Sequence, residues 1–197
     1  RGGAPGSGTA PGGFLRMRHA SASMRFAILG NSGSGKSTLA GWLASSVHLA
    51  RLDLDTVAWE PDQPAVARAD AVAEADVARF CRTHPAWVVE GCYGNLVAAA
   101  LRFDPVLIFL NPGVEKCTTH CLQRPWEPHK YASKAEQDAN LQPLLAWVAE
   151  YDSRDGPMSL AAHRSLFRDH PGRKVEFHHV PRLNPPEADV LALLRAP

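Results

Sequence analysis

Apolar and polar positions along the chain alternate between short runs and longer stripes. Residues 25–29, 49–52, 86–89 and 105–110 are runs of strand length, and residues 174–180 alternate apolar with polar. The run 105–110, PVLIFL, has no alternation at all, which marks a strand buried on both faces. Between the runs, apolar residues recur at helical spacing. Leu39, Leu43 and Val47 form one stripe, and Val66, Ala69, Val72, Ala73, Val77 and Phe80 form another over residues 65–82. Further helices are predicted at 95–102, 114–123, 134–151 (with Leu141, Leu144, Leu145 and Val148), 159–170 and 187–195, the last with Pro186 in its first turn. Strands near 25–30, 49–53, 86–90, 105–110 and 174–180 that alternate with helices predict an α/β fold. Its sheet is doubly wound, five-stranded and parallel, with helices on both faces and right-handed crossovers.

Residues 1–23 are rich in Gly, Ala, Pro and Ser and bury little, so they read as a disordered tail or a remnant of expression, with Met24 as the native start. Residues 24–197 then form one domain. Residues 124–133, RPWEPHKYAS, interrupt the pattern with two prolines among polar and aromatic residues, which suggests a flap within a lid of about residues 124–157.

The first junction carries the chemistry. From Gly30 the chain reads G-x-x-x-x-G-K-S, closing at Gly35, Lys36 and Ser37, directly after a strand and before a helix. That context makes the motif a phosphate-binding P-loop. Gly30, Gly33 and Gly35 allow backbone N–H groups to curl around phosphate oxygens, and Ser32, Ser34 and Thr38 complete the loop. The helix N-terminus faces the same anion. Lys36 supplies a positive charge for the β- and γ-phosphates, and Ser37 supplies a hydroxyl ligand for Mg²⁺. ATP and Mg²⁺ are the cofactors this implies.

Asp53 and Asp55 close the second strand, where ligands of open parallel sheets gather. Two acids one residue apart point the same way from an extended chain, toward the metal or a substrate hydroxyl; a helix cap or turn explains them equally. Glu90-Gly91 at the third strand end suits a metal position with close backbone approach. Trp59 and Tyr93 are candidates to line a substrate pocket.

Charge removes some classes of partner. A net charge of +1 with a pI of 7.9 offers no basic field for nucleic acid, and no apolar run reaches membrane-spanning length. The four cysteines (Cys81, Cys92, Cys117, Cys121) occur without a secretory signal and read as reduced thiols of a cytoplasmic protein. Cys117, His120, Cys121 and His129 are four potential zinc ligands, but the paired C-x₂-C spacing is missing. Cys117 and Cys121 fall one turn apart on a helix, and packing of that face on the sheet explains both.

The blocks GNSGSGKST (30–38), LDLDTVAW (52–59), WVVEGCYGNL (87–96) and PVLIFLNP (105–112), with Arg124 after them, resemble the P-loop kinases of the adenylate kinase and shikimate kinase superfamily. The nearest likeness is to adenylate-kinase-like DNA topology modulation proteins. The resemblance implies a sheet order of 2-3-1-4-5. It implies Mg²⁺ held by Ser37, Asp53 through water, and Glu90, and an acceptor hydroxyl on Asp55 beside Gly91. Arg124 and Arg154 would be arginines that meet the transferring phosphoryl group, and Asn184, Pro185 and Pro186 would lie against adenine. Where adenylate kinase has an arginine for the monophosphate, this chain reads Cys92-Tyr93-Gly94-Asn95, which points to a smaller or less charged acceptor.

The expected activity is ATP-dependent phosphoryl transfer to a small hydroxyl- or phosphate-bearing acceptor by a monomer or weak dimer. The alternatives are a regulatory or DNA-associated ATP-binding protein and a kinase of a macromolecule.

Overall fold

The computed structural model describes residues 24–60, 66–127 and 132–195. Expectations for residues 1–23, for Pro61, Pro64 and Pro128, and for His129 fall outside the described residues.

Five strands are present: β1 (Arg25–Gly30), β2 (Ala50–Asp53), β3 (Trp87–Gly91), β4 (Val106–Leu110) and β5 (Lys174–Phe177). They form one parallel sheet in the order β2-β3-β1-β4-β5. The described helices are α1 (Lys36–Val47), α2 (Asp55–Ala58), α3 (Asp70–Thr83), α4 (Gly94–Leu101), α5 (Val114–Leu122), α6 (Lys134–Ala139), α7 (Leu141–Ala149), α8 (Leu160–Asp169) and α9 (Ala188–Leu193). No helix is long and apolar enough to cross a membrane among the described residues.

Because side chains alternate across a strand, β1 sends Phe26 and Ile28 to one face and Ala27 and Leu29 to the other. The first pair packs with Leu39 and Leu43 of α1 and Val190 and Leu193 of α9. The second packs with Ala73 and Val77 of α3, with α4, and with Leu166 and Phe167 of α8. Leu107 and Phe109 of β4 join one cluster, Ile108 and Leu110 the other. This is why the central runs read as uninterrupted apolar sequence.

Several boundaries differ from expectation. Helix α3 starts at Asp70, because Ala67 bridges to Trp59 in extended backbone; Val66 and Val72 are exposed, and Ala73, Val77 and Cys81 carry the buried stripe. The helix expected over 134–151 is broken at Asn140 into α6 and α7, followed by a 3₁₀ turn, Glu150–Asp152. Pro143 accounts for the break: it has no N–H for the Ala139 carbonyl, and its ring crowds that carbonyl. Strand β5 stops at Phe177, three residues short of the expected end. Pro186 precedes the cap residue Glu187 of α9 and so lies outside the helix.

Candidate active site

Gly30 ends β1 beside Leu110, and the loop that follows is pressed between α1 and α5. At Gly33 the backbone has φ +79°, and a Cβ would collide with the Cys117 carbonyl oxygen. Glycine is therefore required there for both conformation and space. Gly35, at φ +96°, sets the start of α1. The Leu39 N–H to Gly35 carbonyl bond, 3.0 Å, begins the helical ladder. The N–H groups of Lys36, Ser37 and Thr38 precede it, so they are free of α-helical partners as in any first turn.

Asn31 ties this loop to the rest of the molecule. It is buried, its Nδ2 donates to the Val148 carbonyl at the end of α7 (3.0 Å), and its Oδ1 accepts from Ser32 N–H (2.9 Å) and Arg154 Nη2 (3.3 Å). Its own carbonyl accepts from the buried Lys36 Nζ at 2.7 Å. His120 of α5 donates through Nδ1 to the Gly33 carbonyl (2.9 Å).

A cavity of about 490 Å³ opens above the C-terminal ends of β1, β2 and β3. Ser32, Gly33, Gly35, Lys36, Ser37 and Thr38 line one side. Asp53, Asp55, Glu90, Gly91 and Cys92 also line it, and Arg124 with Glu127 border it beyond α5. Parallel register places Asp53 beside Glu90 and Leu29 beside Gly91, so the acidic residues reach the P-loop side by sheet pairing alone.

The two aspartates do not form an extended pair. Asp53 is the last residue of β2 and Asp55 the first of α2, and Asp53 Oδ1 accepts the Asp55 N–H at 3.0 Å. The turn is the physical reason: a carboxylate satisfies the free N–H at the start of the short helix. Both acids nevertheless line the cavity. Glu90 lies inside β3, is buried, and pairs with Arg51 Nη2 at 2.8 Å.

Trp59 and Tyr93 form a chain that ends on Asp55. Trp59 Nε1 donates to Tyr93 Oη at 2.9 Å, and Tyr93 Oη donates to Asp55 Oδ1 at 2.8 Å. Burial, reinforced by the Asp55 carboxylate, raises the Tyr93 pKa and keeps the hydroxyl protonated for that bond.

The arginines take different positions. Arg124 Nη2 reaches Ser32 Oγ of the P-loop (3.2 Å), and Nη1 pairs with Glu127 (3.2 Å). Arg154 does not line the cavity. Its guanidinium stacks on Trp147, 3.5 Å from the ring centroid, and donates to the Trp147 and Met158 carbonyls and to Asn31. The pull of two carbonyls and an indole holds it behind the P-loop, one residue removed from the expected ligand contact. Asn184, Pro185 and Pro186 likewise lie off the cavity lining, to which their loop region contributes Val180.

Cys117 and Cys121 are buried against Val148, Leu144 and Leu145 of α7 and against Gly33, where packing on the sheet was expected. Burial pushes the Cys117 thiol up to about 11. No group of three or more metal-binding side chains occurs among the described residues. All four cysteines are free thiols.

Two further residues shape the site without a sequence signal. His163, fully buried, accepts from Tyr151 Oη at Nδ1 (2.6 Å) and donates from Nε2 to the Cys92 carbonyl (2.8 Å), fixing the segment after β3. Burial lowers its pKa to about 4, so the ring is neutral. Asn31 occupies a variable position of the P-loop motif, and only the packing of α7 reveals its part.

The lining fits a Mg²⁺–nucleotide. First-turn N–H groups, the Lys36 ammonium and the Ser37 hydroxyl match phosphate oxygens and a metal ion, with carboxylates near by. No protein-family model matches the chain, and no curated protein matches it in sequence. Among solved structures it is similar to a gluconokinase from Sinorhizobium meliloti, at 15% identity and a TM-score of 0.51 over 88% of this chain and 92% of that one. The two share a fold. A sugar kinase from Janibacter sp. is 13% identical with a TM-score of 0.47, covering 79% of this chain and 84% of that one. A shikimate kinase from Acinetobacter baumannii is 19% identical with a TM-score of 0.37, covering 74% and 92%.

Proposed function

We propose that this protein is a kinase that transfers the γ-phosphoryl group of ATP to a hydroxyl of a small molecule. The observation that carries this reading is one cavity lined by the P-loop residues Lys36 and Ser37 and by Asp53 and Asp55. Mg²⁺, when bound, would neutralise charge on the β- and γ-phosphates. Lys36 leaves the Asn31 carbonyl and meets those phosphates, while the first-turn N–H groups of α1 orient them. Ser37, Asp53 and Glu90 would hold the metal ion, and Glu90 is itself held by Arg51.

Asp55 accepts the acceptor hydroxyl proton as the new O–P bond forms and the bond to the β-phosphate oxygen breaks, releasing ADP. Tyr93, itself steadied by Trp59, orients that carboxylate. Arg124 stabilises charge on the transferring group from the P-loop side. Arg154 is a positioning residue for Asn31 and the loop. Asn184 and Pro185 stay assigned to the adenine side by resemblance alone.

The likeness to adenylate-kinase-like DNA topology modulation proteins rests on the sequence blocks from 30 to 112 and on Arg124. The protein so proposed is a small-molecule kinase, cytoplasmic, a monomer or weak dimer, without nucleic acid or membrane partners. ADP formation measured with and without a panel of hydroxyl compounds tests it. A kinase shows acceptor-stimulated, Mg²⁺-dependent turnover with label in the acceptor; turnover that no acceptor stimulates, with all label in inorganic phosphate, contradicts it.

A further inference from the structure

Four residues at helical spacing, on α5 and just past its end, meet the P-loop. The Cys117 carbonyl oxygen and Cys121 Sγ stand where a Cβ on Gly33 would fall. Cys121 Sγ and Arg124 Nη2 lie 3.9 Å and 3.2 Å from Ser32 Oγ. The fourth, His120, differs in kind. Its Nδ1 is 2.9 Å from the Gly33 carbonyl oxygen, and its ring borders the cavity. A carbonyl oxygen only accepts, so Nδ1 carries the hydrogen.

The peptide bond between Gly33 and Ser34 is trans and planar, which turns the Gly33 C=O and the Ser34 N–H to opposite sides. His120 holds the first toward α5. The second points into the loop, with Ser34 N 3.3 Å from the Asn31 carbonyl oxygen, which also accepts from Lys36 Nζ at 2.7 Å. One bond from α5 thus sets the face that this peptide turns toward the lysine and the phosphate seat. Gly33 is the reason a bond is needed. At φ +79° and without a Cβ, its own backbone does little to oppose rotation of the peptide. Rotation would swing the carbonyl oxygen inward, where its negative end opposes a phosphate, and would carry the Ser34 N–H outward.

Building on the kinase reading, we infer that His120 is a positioning residue for the nucleotide, a latch that keeps the Gly33–Ser34 peptide turned with its N–H toward the phosphates. It acts through the loop and not on the reacting atoms.

Calorimetric titration with Mg²⁺–ADP, and with Mg²⁺ and a non-hydrolysable ATP analogue, tests this on wild type and three variants. Asparagine places its amide nitrogen as many bonds from Cβ as Nδ1, glutamine as many as Nε2, and phenylalanine keeps a ring without a donor. His120→Asn should bind within about twofold of wild type, and His120→Gln and His120→Phe on the order of tenfold more weakly, the scale of one hydrogen bond. Thermal melts without nucleotide accompany the titrations, and the affinity order should persist among variants whose midpoints agree. Wild-type affinity in the glutamine and phenylalanine variants overturns the inference, as does an asparagine variant as weak as they are. Affinities that only follow the nucleotide-free midpoints overturn it too, because they assign His120 to packing. If wild type binds nucleotide and the variants match it, the latch fails and the kinase reading stands; if wild type binds no nucleotide, the kinase reading fails and the latch with it.

Discussion

Asn31 and Lys36 are joined within one loop, the Lys36 ammonium 2.7 Å from the Asn31 carbonyl oxygen, while the Asn31 side chain is bonded to α7. The lysine is therefore held in the site by a residue that also anchors the lid-side helices. Replacing Asn31 with Ala removes bonds to Val148, Ser32 and Arg154 together and leaves buried groups unpaired. We expect a loss of about 1–3 kcal/mol in stability together with weaker nucleotide binding, read by denaturant melts with and without Mg²⁺–ATP. An unchanged midpoint in both would remove Asn31 from this role.

Arg154 offers a related test with a different signature. Arg154→Lys keeps the charge but loses the planar stack on Trp147 and the forked bonds to two carbonyls. If Arg154 positions the loop, the lysine variant should behave like Arg154→Ala, with raised KM for ATP and lowered stability. Full rescue by lysine would instead indicate a charge that touches the phosphates directly.

Gly33→Ala should damage the P-loop and leave the sheet intact. The left-handed φ and the Cys117 carbonyl both exclude a Cβ, at a cost of about 1–3 kcal/mol. Circular dichroism near wild type with nucleotide affinity lost is the expected pair of results. Wild-type affinity would show that α5 can withdraw from the loop without consequence.

His163 predicts a pH dependence. An unfolded imidazole takes up its proton near pH 6.5, whereas the folded ring stays neutral to about 4. Between those values the unfolded state binds more protons, so stability falls as pH drops through the window and levels below it. The full effect is on the order of 3 kcal/mol. His163→Gln, which keeps an amide donor and acceptor, should lose that slope when its melts are compared with wild type from pH 7 to pH 4. Parallel curves would mean His163 does not carry it.

How far the sequence discloses this molecule depends on the range over which each feature is decided. The strand 105–110 is legible because a strand buried on both faces has to be apolar throughout. The P-loop is legible because three glycines, a lysine and a serine are needed at fixed spacing. The turn at Asp53–Asp55 is less so, since an extended pair and a capped helix start share the same two letters. Arg154 and Asn31 are 123 residues apart and meet only because α7 and the turn after it are laid over the P-loop. The break at Asn140 was open to a local argument through Pro143, whereas the register that brings Asp53 beside Glu90 follows from sheet order.

The acceptor and metal acids separate by kinetics. Asp53→Asn should raise the Mg²⁺ requirement, and Asp55→Asn should lower kcat with ATP binding spared, by about 10²–10⁴-fold if it is the proton acceptor. Normal turnover in both variants would reduce the pair to the structural turn they form.

Phosphoryl transfer in this site depends on Lys36. Its most direct measurement is single-turnover transfer of the γ-phosphoryl label from ATP to an accepted hydroxyl compound, by wild type and by Lys36→Ala of equal thermal stability. Label should reach the acceptor with wild type, with a loss on the order of 10²–10³-fold in the variant. Equal transfer rates in the two proteins would contradict it.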